Sequence, residues 1–322
     1  MAQVTDTQLQ LASEQFSTIL LMRLQQEKSL FRGIIREGQH VGKFASPVQY
    51  INPFAMEAPS GVFAPGNIVQ PGYMRRWVSP APAEKFLGID SFDQLQTEID
   101  PQSMFVNEST AAVARLWDDR IIAAAFGAAT TGTDPSGFSS ETWASVNTGF
   151  VIADTFDDGA TATGMTVAKL REARRILRHS HALDPNGTQG MPRVNLAMAS
   201  QQESDMLALT QVVNVDYNPQ RDGVPIMEGA NIARFMGFEF LFSERLGAAS
   251  AGTANTRGCF AFDERALYLG IWMDLQTHIF YAEHLSGRPL VVHPMTSIGA
   301  TRLEPNHLVE VDCYDTIGAD NI

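Results

Sequence analysis

Residues 47–82 read PVQYINPFAMEAPSGVFAPGNIVQPGYMRRWVSPAP, and seven of the chain's 16 prolines fall within them. Proline lacks a backbone donor and breaks helix interiors, so no long helix fits here. Disorder fits no better, because disordered segments are poor in aromatic and branched apolar residues. This one carries Val48, Tyr50, Ile51, Phe54, Met56, Val62, Phe63, Ile68, Val69, Tyr73, Met74, Trp77 and Val78. The pattern predicts a long irregular hairpin with extended edges, a Gly/Pro tip near 59–72, and a return arm through Arg75, Arg76 and Trp77. A two-stranded ribbon cannot bury both of its faces. Full burial of one large apolar side chain contributes ~1.5–3 kcal/mol. Even half-burial of this set exceeds ~10 kcal/mol, comparable to a whole domain's stability. Left in water, the same residues form a patch larger than the roughly few hundred Å² that monomers tolerate. Two covers are open: the parent domain, or another subunit.

Upstream, residues 1–40 carry Leu9, Phe16, Ile19, Leu20, Met22, Leu24 and Leu30 at loosely helical spacing. They read as a helical arm packed either on its own domain or on a neighbour. Downstream, Asp100 and Pro101 supply an N-cap and a proline at the first helical position. Phe105, Ala112, Val113, Leu116, Trp117, Ile121, Ala124, Ala125 and Ala128 then form an apolar stripe. Glu108, Arg115, Asp118, Asp119 and Arg120 lie opposite. The helix should run to about Gly127, roughly 40 Å. Asp118 and Asp119 read as a solvated or subunit-facing surface rather than as paired catalytic carboxylates.

Residues 129–164 read as a loop, with a short hairpin around 150–152. A second amphipathic helix spans 166–182, with Leu170, Ala173 and Leu177 inward and Lys169, Arg171, Arg174, Arg175 and Arg178 outward. Residues 193–199 alternate as a half-buried strand does, and Ser200 to Glu203 opens a further helix as a capping box. A turn and short helix fit 229–237, and Phe238, Phe240 and Phe242 alternate. Further strands fit 258–262, 267–273, 277–283, 289–303 and 307–314. The class is α+β.

The chain has 322 residues, room for two domains or one large one. Its charged share is 18%, below the ~25% typical of soluble domains, so less of its surface looks meant for water. A net charge of −13 argues against a groove that grips phosphates. No run of ~18 apolar residues is present to cross a membrane, and no secretory signal is visible. Cys259 and Cys313 are too few for a disulfide framework and too far apart for a metal knuckle, and read as buried thiols. Residues 127–133 have the glycine spacing of a phosphate loop but lack its lysine and follow a helix. No nucleophile elbow, zinc-protease helix or dinucleotide fingerprint occurs. His179 and His181 sit at a helix end, and His293 and His307 lack an evident acid–nucleophile set. No catalytic residue, cofactor or metal is therefore assigned. Four of the 23 basic residues are lysine and the other 19 arginine, a bias that interfaces share.

The order of these elements resembles a tailed-bacteriophage major capsid protein of the Hong Kong 97-like capsid fold. Particular stretches are similar to one group of that class. They are Arg75-Arg76-Trp77 before Asp90 and Asp93, Asp118-Asp-Arg-Ile-Ile-Ala-Ala-Ala-Phe-Gly127, and Gly237-Phe-Glu-Phe-Leu-Phe-Ser243. Cys259-Phe-Ala-Phe-Asp-Glu-Arg-Ala-Leu267, Ile298-Gly-Ala-Thr-Arg302 and Leu308-Val-Glu-Val-Asp-Cys313 belong with them. The resemblance implies an N-terminal arm (1–43), an extended β-hairpin E-loop (44–92), and a peripheral domain with its spine helix (93–140 and 276–322). It also implies an axial domain (141–275).

The resemblance further implies self-assembly into pentamers and hexamers of an icosahedral head, in the host bacterial cytoplasm, around double-stranded DNA held without sequence-specific contacts. Portal and decoration proteins are implied partners. The long N-terminal scaffolding region of larger relatives is not seen, which leaves a separate scaffolding protein as one option. The E-loop would lie across a neighbour's spine helix, giving inter-subunit contacts at Tyr50, Phe54, Phe63, Tyr73, Arg75, Arg76, Trp77, Arg115, Asp118 and Asp119. Polar substitution of Trp77 and Phe63 should then leave the subunit folded and block shell closure. Lys43 and Lys85 are candidates for the lysine that some members cross-link, although the motif is not matched. Two other readings are an encapsulin-like nanocompartment and an acidic α+β hydrolase.

Overall fold

The computed structural model describes residues 25–51, 54–58, 68, 70–89, 102–132, 137–159, 161–180, 182, 193–209, 227–228, 231–232, 234–249 and 255–315. In chain order come β1 (Arg36–Gln39), β2 (Ala45–Ile51), β3 (Tyr73–Val78), β4 (Ala81–Glu84) and β5 (Leu87–Ile89), then the helix α1 (Gln102–Phe126). Next are β6 (Ala129–Thr131), β7 (Ser139–Glu141), the single turn α2 (Trp143–Val146), β8 (Val151–Ile152), α3 (Val167–His179), β9 (Val194–Met198) and α4 (Ser200–Leu207). The short β10 (Met227–Glu228), β11 (Asn231–Ile232) and β12 (Arg234–Phe235) precede β13 (Phe238–Phe242). The chain then runs through β14 (Thr256–Asp263), β15 (Leu267–Tyr281), β16 (Leu290–Arg302), a 3-10 turn (Pro305–His307) and β17 (Leu308–Tyr314). The α+β class read from the sequence is the observed one. The arm's residues 1–24, the hairpin tip at 59–67 and the Asp100–Pro101 cap lie outside the described residues.

The chain divides into two compact units, and α1, β15 and β16 contribute residues to both. The first comprises residues 1–28, 82–115 and 275–296. In it β5 pairs antiparallel with β16 from Leu290 to Val292, and Phe86 stacks on His293 with ring centroids 3.9 Å apart. The sequence breaks 267–283 into two strands, but they form one strand of 15 residues.

The second unit, residues 29–81, 116–274 and 297–322, is built on a six-stranded sheet of order β12-β13-β9-β14-β17-β8. β9 and β13 are parallel, and the long connection carrying α4 supplies the crossover that parallel strands require. β14 runs antiparallel to both β9 and β17. Every residue of β9 is buried, which corrects the half-buried reading of 193–199. Both faces of a central strand are covered, and alternation has no solvent side to report. Phe31 stacks on Phe260 at 5.9 Å, and Phe126 meets the same ring edge-on at 5.5 Å. Residues 151–152 do not form a hairpin; β8 is the parallel edge strand beside β17. The closing strand β17 pairs with β14 from Thr256 to Phe262.

Two helix readings shift. Thr166 caps α3, its hydroxyl accepting from the Lys169 backbone N–H at 3.3 Å. Lys169 itself, expected on the outer face, is fully buried. The α4 cap lies at Ala199, whose N–H donates to Gln202 Oε1 at 3.1 Å, one residue before the position expected from Ser200 and Glu203. At the far end of β16, the buried Arg302 donates through Nη1 to the carbonyls of Ala125 and Gly127, both at 2.9 Å. Its Nη2 donates to the Glu141 carbonyl at 3.2 Å. It satisfies carbonyls that the last turn of α1 leaves without intrahelical donors.

Arg302→Met keeps the stem but takes the donor from three carbonyls, one buried and two part-buried. At ~1–3 kcal/mol for each orphaned group, the expected loss of unfolding free energy is about 3 kcal/mol or more. Chemical denaturation of the variant against the parent chain measures it.

Candidate assembly surface

β2 and β3 form the antiparallel hairpin that the prolines predicted, in register from Val48 opposite Arg76 to Ile51 opposite Tyr73. Only its root joins a larger sheet, where Arg76 and Trp77 of β3 pair with Thr131 and Thr130 of β6. The root is held by buried donors. Arg76 Nε donates to the Leu303 carbonyl at 2.8 Å and Nη2 to Glu141 Oε1 at 2.7 Å. The Trp77 indole N–H reaches the Gly132 carbonyl at 3.0 Å, and its ring lies 5.6 Å from Phe138. Where the ribbon leaves the root, Ser79 crosses β16 so closely that a Cβ on Gly299 would sit 2.2 Å from the Ser79 carbonyl oxygen. Only glycine admits that approach.

Beyond the root the ribbon changes character. Phe54 is 70% exposed, Met56 90% and Ile68 97%, and Ile51 and Tyr73 are more than half exposed. Among the described residues, the parent unit covers the root and not the rest.

The ten residues expected at inter-subunit contacts separate accordingly. Phe54 and Tyr73 are exposed, Tyr50 and Arg75 are half-buried, and Phe63 lies outside the described residues. Burial pushes the Tyr50 hydroxyl up to about 12, helped by the Glu304 charge. Arg76, Trp77 and Asp118 are instead buried in the chain's own fold, so a polar residue at Trp77 would disturb folding before it reached assembly. Asp118, read as surface, accepts from the Leu30 N–H at 3.0 Å and from the Ser29 hydroxyl at 2.5 Å. It fixes the start of the 29–35 segment on α1. Asp119 takes a bidentate pair from Arg245 at 2.6 and 2.5 Å. Arg115 pairs with Glu108 at 3.2 Å and donates to the Gln26 carbonyl at 3.3 Å. These charges are committed within one chain.

Beside the ribbon root lies a charged group that the sequence did not reveal. His307 Nδ1 is 3.2 Å from Asp263 Oδ2, and its Nε2 is 3.3 Å from Glu304 Oε2. Arg265 Nε also reaches Asp263 Oδ2, at 2.7 Å. Burial opposes the imidazolium, but the two carboxylates outweigh it and raise the His307 pKa. The Glu304 carboxyl is held below its usual range, chiefly by His307. These residues lie up to 44 positions apart (263 to 307), and no motif links them. Only the pairing of β14 with β17 brings their ends together.

The remaining candidates resolve as structural. Gly127 ends α1, and Gly132, at φ 139°, turns between β6 and β7. Cys259 and Cys313 are fully buried and free. Hydrogen bonding to Cys313, then burial, pushes the Cys259 thiol up. Among the described residues, no group of three or more His, Cys, Asp or Glu is arranged to hold a metal. A cavity of about 520 Å³ in the second unit is lined by Arg193, Asn195, Arg234, Glu239, Phe240 and Glu264, with no serine, cysteine or histidine on its wall.

The family model described as phage capsid protein matches residues 9–315. Among solved structures, the cyanophage Pam1 capsid asymmetric unit superposes with a TM-score of 0.71 at 16% identity, over 96% of this chain and 97% of that one. The cyanophage P-SCSP1u capsid gives 0.64 at 15% identity, over 98% and 100%. The capsid of Ralstonia phage GP4 gives 0.64 at 11% identity, over 95% and 96%. Comparison with curated proteins finds no match. At these identities the structural likeness is one of fold.

The His307 group has a pH signature. A histidine whose folded pKa is raised stabilises most below its unfolded value, and that stability is lost as pH rises through the folded pKa. The melting temperature should therefore fall as pH rises from about 6.5, the unperturbed value. His307→Gln should flatten that slope. Equal slopes in a thermal scan across pH would remove the imidazolium from the account.

Proposed function

The chain belongs to the phage capsid protein family, and on that premise we propose how it builds a shell. It is a structural capsid protein, a component of the virion. In the proposed reading, copies associate into pentamers and hexamers of an icosahedral head around double-stranded DNA, formed in the host cytoplasm. The β2–β3 hairpin acts as the E-loop, α1 as the spine helix, and residues 1–43 as an arm. In the same reading, residues 93–140 and 276–322 make a peripheral domain and residues 141–275 an axial one.

The observation that carries this reading is the exposed apolar load on a hairpin whose root is fixed. Phe54, Met56, Ile68 and Tyr73 stand in solvent on a segment that cannot cover itself. Covering roughly half of such side chains contributes on the order of 1 kcal/mol each, repeated at every copy in a lattice. The bed proposed for them is a neighbour's α1, which exposes Asn107, Thr110, Ala112 and Ala123, small side chains that let a ribbon lie close. Arg75 at the edge of the ribbon is placed to meet acidic groups of that neighbour, in a chain whose net charge is −13. The same acidity suits a wall that encloses DNA without gripping it. A portal protein is the further partner proposed for such a head, and scaffolding and decoration proteins are optional additions to it. Neither the family nor the structural neighbours favour the nanocompartment or the hydrolase.

A double variant, Phe54→Asp with Tyr73→Asp, tests the surface. Both side chains lie outside the core, so unfolding free energy should move by no more than about 0.5 kcal/mol per site. Closed particles, counted by electron microscopy, should be lost. Normal particle yield from a folded variant would place the assembly contact elsewhere.

A further inference from the structure

The edge of the six-stranded sheet gathers three buried carboxyl groups. Glu310 and Asp312 are two residues apart on β17, and their register partners on β14 are Phe260 and Gly258. Directly opposed residues share a face, so both carboxyls leave the sheet on the side of Phe260 and Phe262. Asp154, just past β8, joins them. All three are buried: Asp154 is 6% exposed, Glu310 0% and Asp312 1%.

The nearest cation is Lys169 of α3, and its three donors are already used. Nζ donates to the carbonyls of Thr163 at 2.7 Å, Gly164 at 3.0 Å and Asp312 at 2.9 Å. Asp312 Oδ1 is buried with no donor reaching it, and the group its carboxyl faces is the Glu310 carboxyl. Two carboxylates cannot hydrogen-bond each other. The contact becomes a bond only if one of them carries a proton. The Trp143 indole N–H donates to Glu310 Oε2 at 2.6 Å, which favours the charged form of Glu310, so the proton belongs to Asp312.

We propose that the Asp312–Glu310 carboxyl pair is a one-proton latch. With its proton in place the pair keeps Glu310 set to accept from Trp143; loss of that proton to bulk water leaves two buried carboxylates side by side, and their need for hydration favours release of the contacts that β17 makes with Trp143, Phe150 and Thr163. Three of the segment's attachments meet here. Trp143 bonds Glu310, the Glu310 N–H donates to the Phe150 carbonyl at 2.8 Å, and the Tyr314 N–H donates to the Thr163 carbonyl at 2.9 Å. The charged groups that act on Asp312 besides Glu310 are Asp154 from the β8 loop and Lys169 from α3. Farther out are Asp205 of α4, which accepts from the Met165 N–H at 3.2 Å, and Arg302 of β16, stacked 5.0 Å over the other side of Trp143. Burial first, then the charges of Glu310 and Asp154, raises the Asp312 pKa to about 7.

The sign follows from that direction. The latched state holds a proton that the detached state, near the ordinary aspartate value of about 3.9, releases. Detachment is therefore favoured as pH rises, and its pH dependence ends once Asp312 is ionised in both states. Hydrogen exchange of the full-length chain, in the assembly state in which it purifies and corrected for intrinsic rates, reads the opening at the amides of Thr163, Glu310 and Tyr314. The opening constant should rise about tenfold per pH unit between about 5 and 7, then level off. Asp312→Asn, which mimics the protonated form, should abolish the slope. Asp154→Asn should keep it with a lower midpoint.

A slope in Asp312→Asn equal to that of the parent, or no slope in the parent, overturns the latch. Should Asp312→Asn fail to fold, infrared spectroscopy of the parent decides. A protonated carboxyl band present near pH 6 and gone near pH 8.5 supports the proposal, and its absence at both overturns it.

Discussion

Two buried guanidinium groups that share one glutamate hold the second unit together. Arg76 bonds the Glu141 side chain and Arg302 its carbonyl. Through the same forks Arg76 reaches the end of β16 at Leu303, and Arg302 reaches the last carbonyls of α1. Ribbon root, helix end, β7 and β16 thus meet at a polar knot rather than at a hydrophobic seam. Such a junction is demanding. Burial pulls the Arg302 pKa down to about 10, and the charge survives because carbonyls and Glu141 surround it. A planar fork satisfies several acceptors at fixed angles, so the knot sets direction as well as attachment.

Direction matters because of what extends from the knot. A ribbon carrying Phe54, Met56 and Ile68 in solvent is an aggregation hazard if its aim is loose. Held by Arg76, by the Trp77 indole and by the close crossing at Gly299, it leaves the body at a defined angle. An apolar surface presented at one angle recruits a partner of one geometry. On the proposed reading, a firmly bonded root and an exposed arm are complementary requirements for a lattice.

The sequence was most legible where chain chemistry acts locally. Proline and glycine between residues 47 and 82 exposed the hairpin, the apolar stripe exposed α1 to within a residue or two, and Thr166 marked the start of α3. It misled where tertiary burial overrode pattern. Lys169 and Asp118 look like solvent residues by type and by helical position, yet each is an internal partner of backbone groups, Lys169 of Asp312 as well as of nearby Thr163 and Gly164, and Asp118 of Leu30. β9 read as half-exposed because Asn195 broke its apolar run, while in the fold both of its faces are covered. The His307, Asp263 and Glu304 group was invisible, because its members meet only through strand register.

Arginine usage shows the same overlap between interior and interface. Nineteen arginines against four lysines looked like a sign of contacts between subunits. Arg76, Arg257 and Arg302 are among the most buried residues of the chain, and Arg257 closes a 2.6 Å ion pair with Asp315 in the interior. The property that suits arginine to an interface, a weakly hydrated fork that binds several oxygens at once, suits it equally to junctions where loops and strand ends present unpaired carbonyls. The one deeply buried lysine, Lys169, also binds three carbonyls, but as a compact ammonium at the base of a helix where they converge on a point. Composition therefore reports that oxygen-rich junctions exist. Whether such a junction lies within one chain or between two is decided by where the carbonyls are, and that requires coordinates.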